Sequence, residues 1–175
     1  TAVHVCFGGY FPTLAANEMG ACTKGIDSIV IGEGEKTFSE LVTRLDDGKA
    51  WRDVPGLAWI DSGVTYYSDQ RLKISNLDEI PFPARDLLPD VLREIGYASV
   101  FSSRGCYGNG TFCSQNAFQA KNPGPRWRGR SPGNVGDELE LLVREYGVRT
   151  VKFNDDNIFG PGNSGIERVK GICEE

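Results

Sequence analysis

An α/β protein built on parallel strands is what this sequence predicts, and three observations carry the prediction. Short apolar runs that alternate little, at residues 2–7, 27–31 and 98–101, read as buried parallel strands. Glycine-rich turns follow the first two, Gly8-Gly9 and Gly32-Glu33-Gly34. Helical periodicity follows the second turn, with Phe38, Leu41, Val42 and Leu45 at i, i+3, i+4 and i+7. The composition, 39% hydrophobic and 25% charged with 22 glycines, is that of a folded globular chain rather than a disordered one. Its 175 residues suffice for one ordinary domain or two small ones.

Taken in order, the strand at 2–7, a weaker helix candidate at 13–24, the strand at 27–31 and the helix at 37–45 predict the later part of a doubly wound sheet over residues 1–50. The chain opens with Thr1 directly inside an apolar run, so its ends are expected to be artificial. Residues 57–60 and 64–67 flank Asp61-Ser62-Gly63 and predict a β-hairpin that belongs to neither neighbour. Pro81, Pro83 and Pro89 lie among charges over 76–89, which predicts an extended, semi-rigid linker. Hairpin and linker together fill residues 51–97. The region 98–175 begins with the strand at 98–101 and a glycine-rich loop. Ser131 then serves as N-cap with Pro132 at the first helical position, Leu139, Leu142, Val143 and Tyr146 form an apolar face, and Gly147 stops the helix. A strand at 149–153 ends in Asn154-Asp155-Asp156-Asn157, and another helix starts near Ser164. Two β/α units thus follow one another, with no internal repeat.

A net charge of −5 argues against a chain whose main partner is nucleic acid, since phosphate binding needs a basic field. One local basic cluster, Arg126, Arg128 and Arg130 around Trp127, offers charge and a stacking plane, but in an acidic chain a solvated loop is the favoured reading. No apolar run approaches the roughly 20 residues that span a bilayer, and no export signal is present, so a cytoplasmic protein is expected. Cys6, Cys22, Cys106, Cys113 and Cys173 are odd in number and irregularly spaced, which suits reduced thiols or metal ligands rather than a disulfide framework. His4, the only histidine, lies inside a strand and reads as a core or edge residue.

The sharpest feature is the loop Ser102-Ser103-Arg104-Gly105-Cys106-Tyr107-Gly108-Asn109-Gly110-Thr111-Phe112-Cys113-Ser114 at the C-terminal end of a strand. It resembles the Cys-x-x-x-Cys-x-x-Cys loop of the radical S-adenosylmethionine superfamily, whose residue before the last cysteine is usually aromatic, as Phe112 is here. The resemblance implies that Cys106 and Cys113 are ligands of a 4Fe-4S cluster. The middle cysteine of the pattern is replaced by Gly110, which has no side chain to coordinate iron. Two unrelated cysteines in a loop are the alternative.

The flanks resemble the cobalamin-binding subgroup of that superfamily. Arg126-Trp127-Arg128-Gly129-Arg130-Ser131-Pro132, the helix after it, the strand ending in Asp155-Asp156-Asn157, and Pro81-Phe82-Pro83-Ala84-Arg85-Asp86 in the linker all match in order and spacing. The resemblance implies the end of a Rossmann-like cobalamin-binding domain, a linker with a β-hairpin, and the first β/α units of a partial TIM-type barrel, with both cores incomplete. It implies that Phe112 packs near the adenine of S-adenosylmethionine, that Asp155, Asp156 and Asn157 meet its methionine end, and that Gly8, Gly9, Gly32, Glu33 and Gly34 approach the corrinoid. His4 lacks the aspartate and glycine spacing of a lower axial cobalt ligand. Read without the resemblance, the acidic residues are a solvated turn and the glycine motifs ordinary strand-to-helix turns. The implied activity is reductive cleavage of S-adenosylmethionine and cobalamin-dependent methyl transfer on a small-molecule substrate, with an electron donor such as flavodoxin or ferredoxin. Gly110 and the truncated barrel imply that this chain alone is impaired, with self-association through exposed sheet edges. A non-catalytic module that binds a corrinoid, a nucleotide or a protein partner is the competing reading, and a damaged copy of an active enzyme is a third.

Overall fold

The computed structural model describes residues 3–175, so the first residue of the strand expected at 2–7 lies outside the described residues. The chain divides into two compact units, one of Thr1–Lys73 with Asn109–Gly124 and one of Ile74–Gly108 with Pro125–Glu175.

The first unit holds β1 (Cys6–Phe7), α1 (Tyr10–Leu14), α2 (Ala16–Cys22), β2 (Ser28–Val30), α3 (Glu35–Asp46), β3 (Leu57–Asp61) and β4 (Val64–Tyr67). Its four-stranded sheet has the order β1-β2-β3-β4, with β1 and β2 parallel and the other pairs antiparallel. Successive residues of β2 point to opposite faces, and each face finds its own helix. Ile29 and Ile31 pack with Ala16 and Met19 of α2 and with Ala58, while Val30 packs with Leu41 of α3, Val54 and Leu57. Helices on both faces of a parallel pair are the doubly wound arrangement. The hairpin departs from expectation. Rather than standing apart, β3 pairs with β2 in the register Ile29 to Ala58, because Leu57, Ala58 and Ile60 carry apolar side chains on both faces and need cover.

The second unit holds a 3-10 turn (Leu77–Glu79), α4 (Leu88–Ile95), β5 (Ala98–Val100), β6 (Ser103–Gly105), β7 (Trp127–Gly129), α6 (Pro132–Tyr146), β8 (Val151–Phe153) and α7 (Gly162–Glu174), while α5 (Ser114–Gln119) belongs to the first unit. β5 and β8 pair in parallel with α6 between them in sequence, which is one β/α/β crossover. Ala98, Val100, Leu142, Val148 and Leu88 form the core, with Leu139, Tyr146, Val151 and Phe153 packed against it. The cap of α6 is as the sequence predicts: Asn134 N donates to Ser131 Oγ at 3.1 Å, and Gly147 ends the helix at φ 64°. Among the described residues no barrel closes. The predicted linker is partly helical, since Pro89 sits in the first turn of α4, where the missing N–H would be unpaired in any case.

Candidate functional site

Residues from β6, β7, β8 and α7 converge at the C-terminal end of β8 within the second unit. Asp155 is the hub. Its Oδ2 accepts from Ser102 N at 3.1 Å, and its Oδ1 accepts from Ser102 Oγ at 2.8 Å and from Ser103 Oγ. Both serines are buried. Arg168 of α7 donates to the Ser102 carbonyl and to Ser102 Oγ, so Ser102 is held from two directions. Burial lowers the Arg168 pKa, and the nearby Asp155 carboxylate offsets part of that effect. The Arg168 guanidinium lies 5.5 Å from the Trp127 ring centroid, and Trp127 Nε1 donates to the Asn157 carbonyl at 2.7 Å.

Two glycines make this stack possible. A Cβ on Gly160 would lie 2.6 Å from the Trp127 ring, and one on Gly129 would lie 2.3 Å from Arg168 Nε. Much of the basic cluster expected to be a solvated loop is instead built into the unit. Arg128 is buried and donates to the Ile74 carbonyl at 2.6 Å, Arg130 pairs with Glu138, and Trp127 carries Arg168 on its face.

The three residues predicted at the strand end have different surroundings. Asp155 has both oxygens engaged inside the unit. Asn157 Nδ2 donates to Cys106 Sγ at 3.9 Å, and Gly108 N donates to the same sulfur at 3.3 Å. Asp156 is the more exposed carboxylate of the pair. Partial burial raises its pKa, the Asp155 charge adds to the rise, and a hydrogen bond from the Gly105 backbone opposes it. A raised carboxyl pKa contributes stability below the unfolded value, and that contribution is lost as pH climbs through the folded value. Asp156→Asn is thus expected to raise Tm at pH 7 by no more than about 2 °C, solvent screening being strong at so exposed a group, with the gain gone near pH 3.5. Thermal unfolding at the two pH values checks this, and a loss at pH 7 contradicts it.

The other predicted ligands lie in the first unit. Cys113 is exposed, and Phe112 is 96% exposed. Gly110 and Cys113 form one turn, in which Cys113 N and Asn116 Nδ2 donate to the Gly110 carbonyl at 3.2 and 3.0 Å. A Cβ at Gly110 would meet Cys113 Cβ at 3.5 Å, an ordinary contact, so a side chain fits there. Yet no group of three Cys, His, Asp or Glu side chains able to hold a metal occurs among the described residues. The donor set on the chain therefore does not fit a cube held by three thiolates.

Of the glycines predicted near a corrinoid, Gly9 has φ 94° and open space where a side chain would be. Gly32 is different. At φ 76°, its missing Cβ leaves room for the Asn122 side chain, whose Oδ1 lies 1.5 Å from where that Cβ would stand. Glu33 and Gly34 stay partly exposed beside it. His4 is half-buried, bonded through Nε2 to Ser28 Oγ at 2.9 Å and edge-on to Trp51 at 4.9 Å, as a packing residue is. Sequence reasoning quoted Ser102 and Ser103 in the cysteine loop without giving them a role, and missed Arg168 and Asn122. The signals available were the Ser-Ser pair opening that loop and the Gly32 that Asn122 fills.

No family model matches the chain. An uncharacterized methyltransferase of Pyrococcus horikoshii is 42% identical over 134 residues, covering 75% of this chain and 28% of that protein. OxsB, a cobalamin-dependent S-adenosylmethionine radical enzyme solved with aqua-cobalamin and S-adenosylmethionine bound, superposes with a TM-score of 0.76 at 21% identity, over 97% of this chain and 23% of its own. TsrM from Kitasatospora setae, a radical S-adenosylmethionine methyltransferase solved with cobalamin and a [4Fe-4S] cluster, gives 0.72 at 20% identity, over 98% and 33%. At these identities the two structures speak to the fold. The chain spans between about a quarter and a third of the length of these proteins. No helix among the described residues is long and apolar enough to cross a membrane. By sequence the chain is similar to a methyltransferase, and by fold to two cobalamin-dependent radical S-adenosylmethionine enzymes.

Proposed function

We propose that this chain is a segment of a cobalamin-dependent radical S-adenosylmethionine methyltransferase whose cluster loop has lost one ligand, so that the chain alone does not generate 5'-deoxyadenosine. The observation that carries the reading is the loop itself, with cysteines at 106 and 113 and a glycine at the expected middle position, in a chain 42% identical to a methyltransferase. Cys106 and Cys113 are the two remaining thiolates. Asp156 and Asn157 are the groups at the end of β8 suited to the ammonium and carboxylate of a methionine moiety, with Asp155 holding the strand end behind them. Phe112, fully solvent-facing, offers its ring to an adenine.

The strand ends of the first unit suit a corrinoid in part. β1 and β2 are adjacent and parallel, and Gly9, Glu33 and Gly34 leave backbone accessible beyond their C-terminal ends, the usual place for a nucleotide-like ligand in an open α/β sheet. A corrinoid, when bound, supplies a cobalt able to carry a methyl group. The substrate is a small molecule, the electron donor a flavodoxin or ferredoxin, and the compartment the cytoplasm. Phe7 is exposed on the edge strand β1 and Val5 just before it, which favours self-association of the isolated chain. A non-catalytic corrinoid-binding module is the second reading, favoured by Gly110; uptake of hydroxocobalamin without iron distinguishes it.

The test is anaerobic reconstitution with iron and sulfide of the chain and of Gly110→Cys in parallel, with iron counting and electron paramagnetic resonance. About four irons per chain in the variant and far fewer in the parent are expected. A full cluster in the unaltered chain, or none in either, defeats the reading.

A further inference from the structure

Helix α5 and the turn after it lie far along the chain from β1 and β2, yet belong to the same compact unit. They are fastened to the C-terminal ends of both strands. After β1, the Tyr10 ring stacks on Phe118 at 4.1 Å between centroids and 15° between planes, and its hydroxyl donates to Gln115. After β2, Asn122 fills the space that Gly32 leaves. Asn122 is 5% exposed, and its Nδ2 donates to the carbonyls of Arg71 at 3.1 Å and Ile31 at 3.4 Å. Lys73 reinforces the attachment: its backbone N donates to the Pro123 carbonyl at 3.0 Å, and its Nζ donates to the Gln119 carbonyl at 2.8 Å.

From this geometry we infer that Asn122 is a positioning residue for the Gly32-Glu33-Gly34 turn. Its amide holds the Ile31 carbonyl from one side, while Thr13 Oγ1 accepts from Gly32 N at 3.0 Å on the other. The turn therefore keeps its left-handed glycine and its ligand-facing backbone only while Asn122 is seated. Side-chain identity matters on both partners. Any Cβ at position 32 expels the amide, and the positive φ penalises that Cβ independently. Aspartate at 122 lacks the donor that both carbonyls need.

The consequence for ligand binding rests on the reading that this turn approaches a corrinoid, so the experiment separates the two claims. Amide hydrogen exchange is followed at residues 32–35 and 115–121 in the parent chain, Asn122→Ala and Asn122→Asp, with hydroxocobalamin titrated into each by visible absorption. Exchange at 32–35 is expected to quicken at least tenfold in both variants while the exchange of α3 stays unchanged, and hydroxocobalamin affinity is expected to fall at least fivefold. Gly32→Ala should reproduce the exchange change in the parent but add clearly less in Asn122→Ala, where the amide it expels is already gone and only the strain of the positive φ remains. Unchanged exchange at 32–35, or full additivity of the two substitutions, overturns the inference. Should the parent bind no hydroxocobalamin, the corrinoid reading falls, and the exchange comparison still decides the role of Asn122.

Discussion

Glu138→Ala is expected to unfold the second unit or bring it close to unfolding, with a loss of about 3–5 kcal/mol. Glu138 lies on the inner face of α6 with its side chain 2% exposed, and its two oxygens pair with two guanidinium groups, Arg85 Nη2 at 2.7 Å and Arg130 Nη1. Those cations are themselves largely buried, at 14% and 12%. Each is also tied to the backbone: Arg85 donates to the Ser99 carbonyl, and Arg130 to the carbonyls of Phe101 and Asn134. The network therefore fastens the segment before α4 and the residues after β7 to α6. Removing the carboxylate leaves two buried like charges a few ångströms apart, which is far worse than losing one exposed ion pair. Since a small domain is stable by about 5–15 kcal/mol, such a loss is a large part of the whole. Glu138→Gln keeps the shape and one acceptor, so its loss should be smaller but still evident. Denaturant titration followed by near-ultraviolet signals of the second unit gives the measurement. A loss below about 1 kcal/mol for the alanine variant means that water reaches the guanidinium groups and the network contributes little.

This network also shows why the linker was only half legible. Its prolines were visible and its Arg85 was quoted among the residues of the family resemblance, but the role of Arg85 depends on a glutamate 53 positions later. The same reason separates what could be read from what could not throughout the chain. α3 and α6 announce themselves because their apolar periodicity and caps are local in sequence. α5 does not, since it has six residues and a single large apolar side chain, Phe118, whose partner is Tyr10. The β6–β7 ribbon pairs Ser-Arg-Gly with Trp-Arg-Gly, segments with neither alternation nor β-branched residues. The cysteine spacing and the carboxylates at the end of β8 could be read directly. That Gly32 holds a side chain rather than leaving room for a ligand could not, for Asn122 is about ninety residues distant from the turn it holds.

The neighbouring carboxylates at 155 and 156 should respond to substitution in opposite ways, and the contrast tests the division of labour at the strand end. Asp155→Ala removes the acceptor for Ser102 N, Ser102 Oγ and Ser103 Oγ together, in a place where both serines are sealed from water. It also takes away the carboxylate that most favours the charged form of the partly buried Arg168. Stranded buried donors cost about 1–3 kcal/mol each when no water replaces the partner, although relaxation shares part of that, so a total loss of about 2–4 kcal/mol is expected. Asp155→Asn should recover only part, because one face of its amide presents N–H groups to the Ser102 N–H. The exchange of amides at residues 102–105 should quicken with the alanine variant, since Asp155 and Arg168 are what hold Ser102 in place. Asp156, the more exposed of the two, accepts from the Gly105 backbone, an acceptor that asparagine keeps, so its asparagine variant should disturb those amides far less. If instead Asp155→Ala is tolerated and Asp156→Asn loosens residues 102–105, then Asp156 carries the strand end and Asp155 is the carboxylate free to meet a ligand.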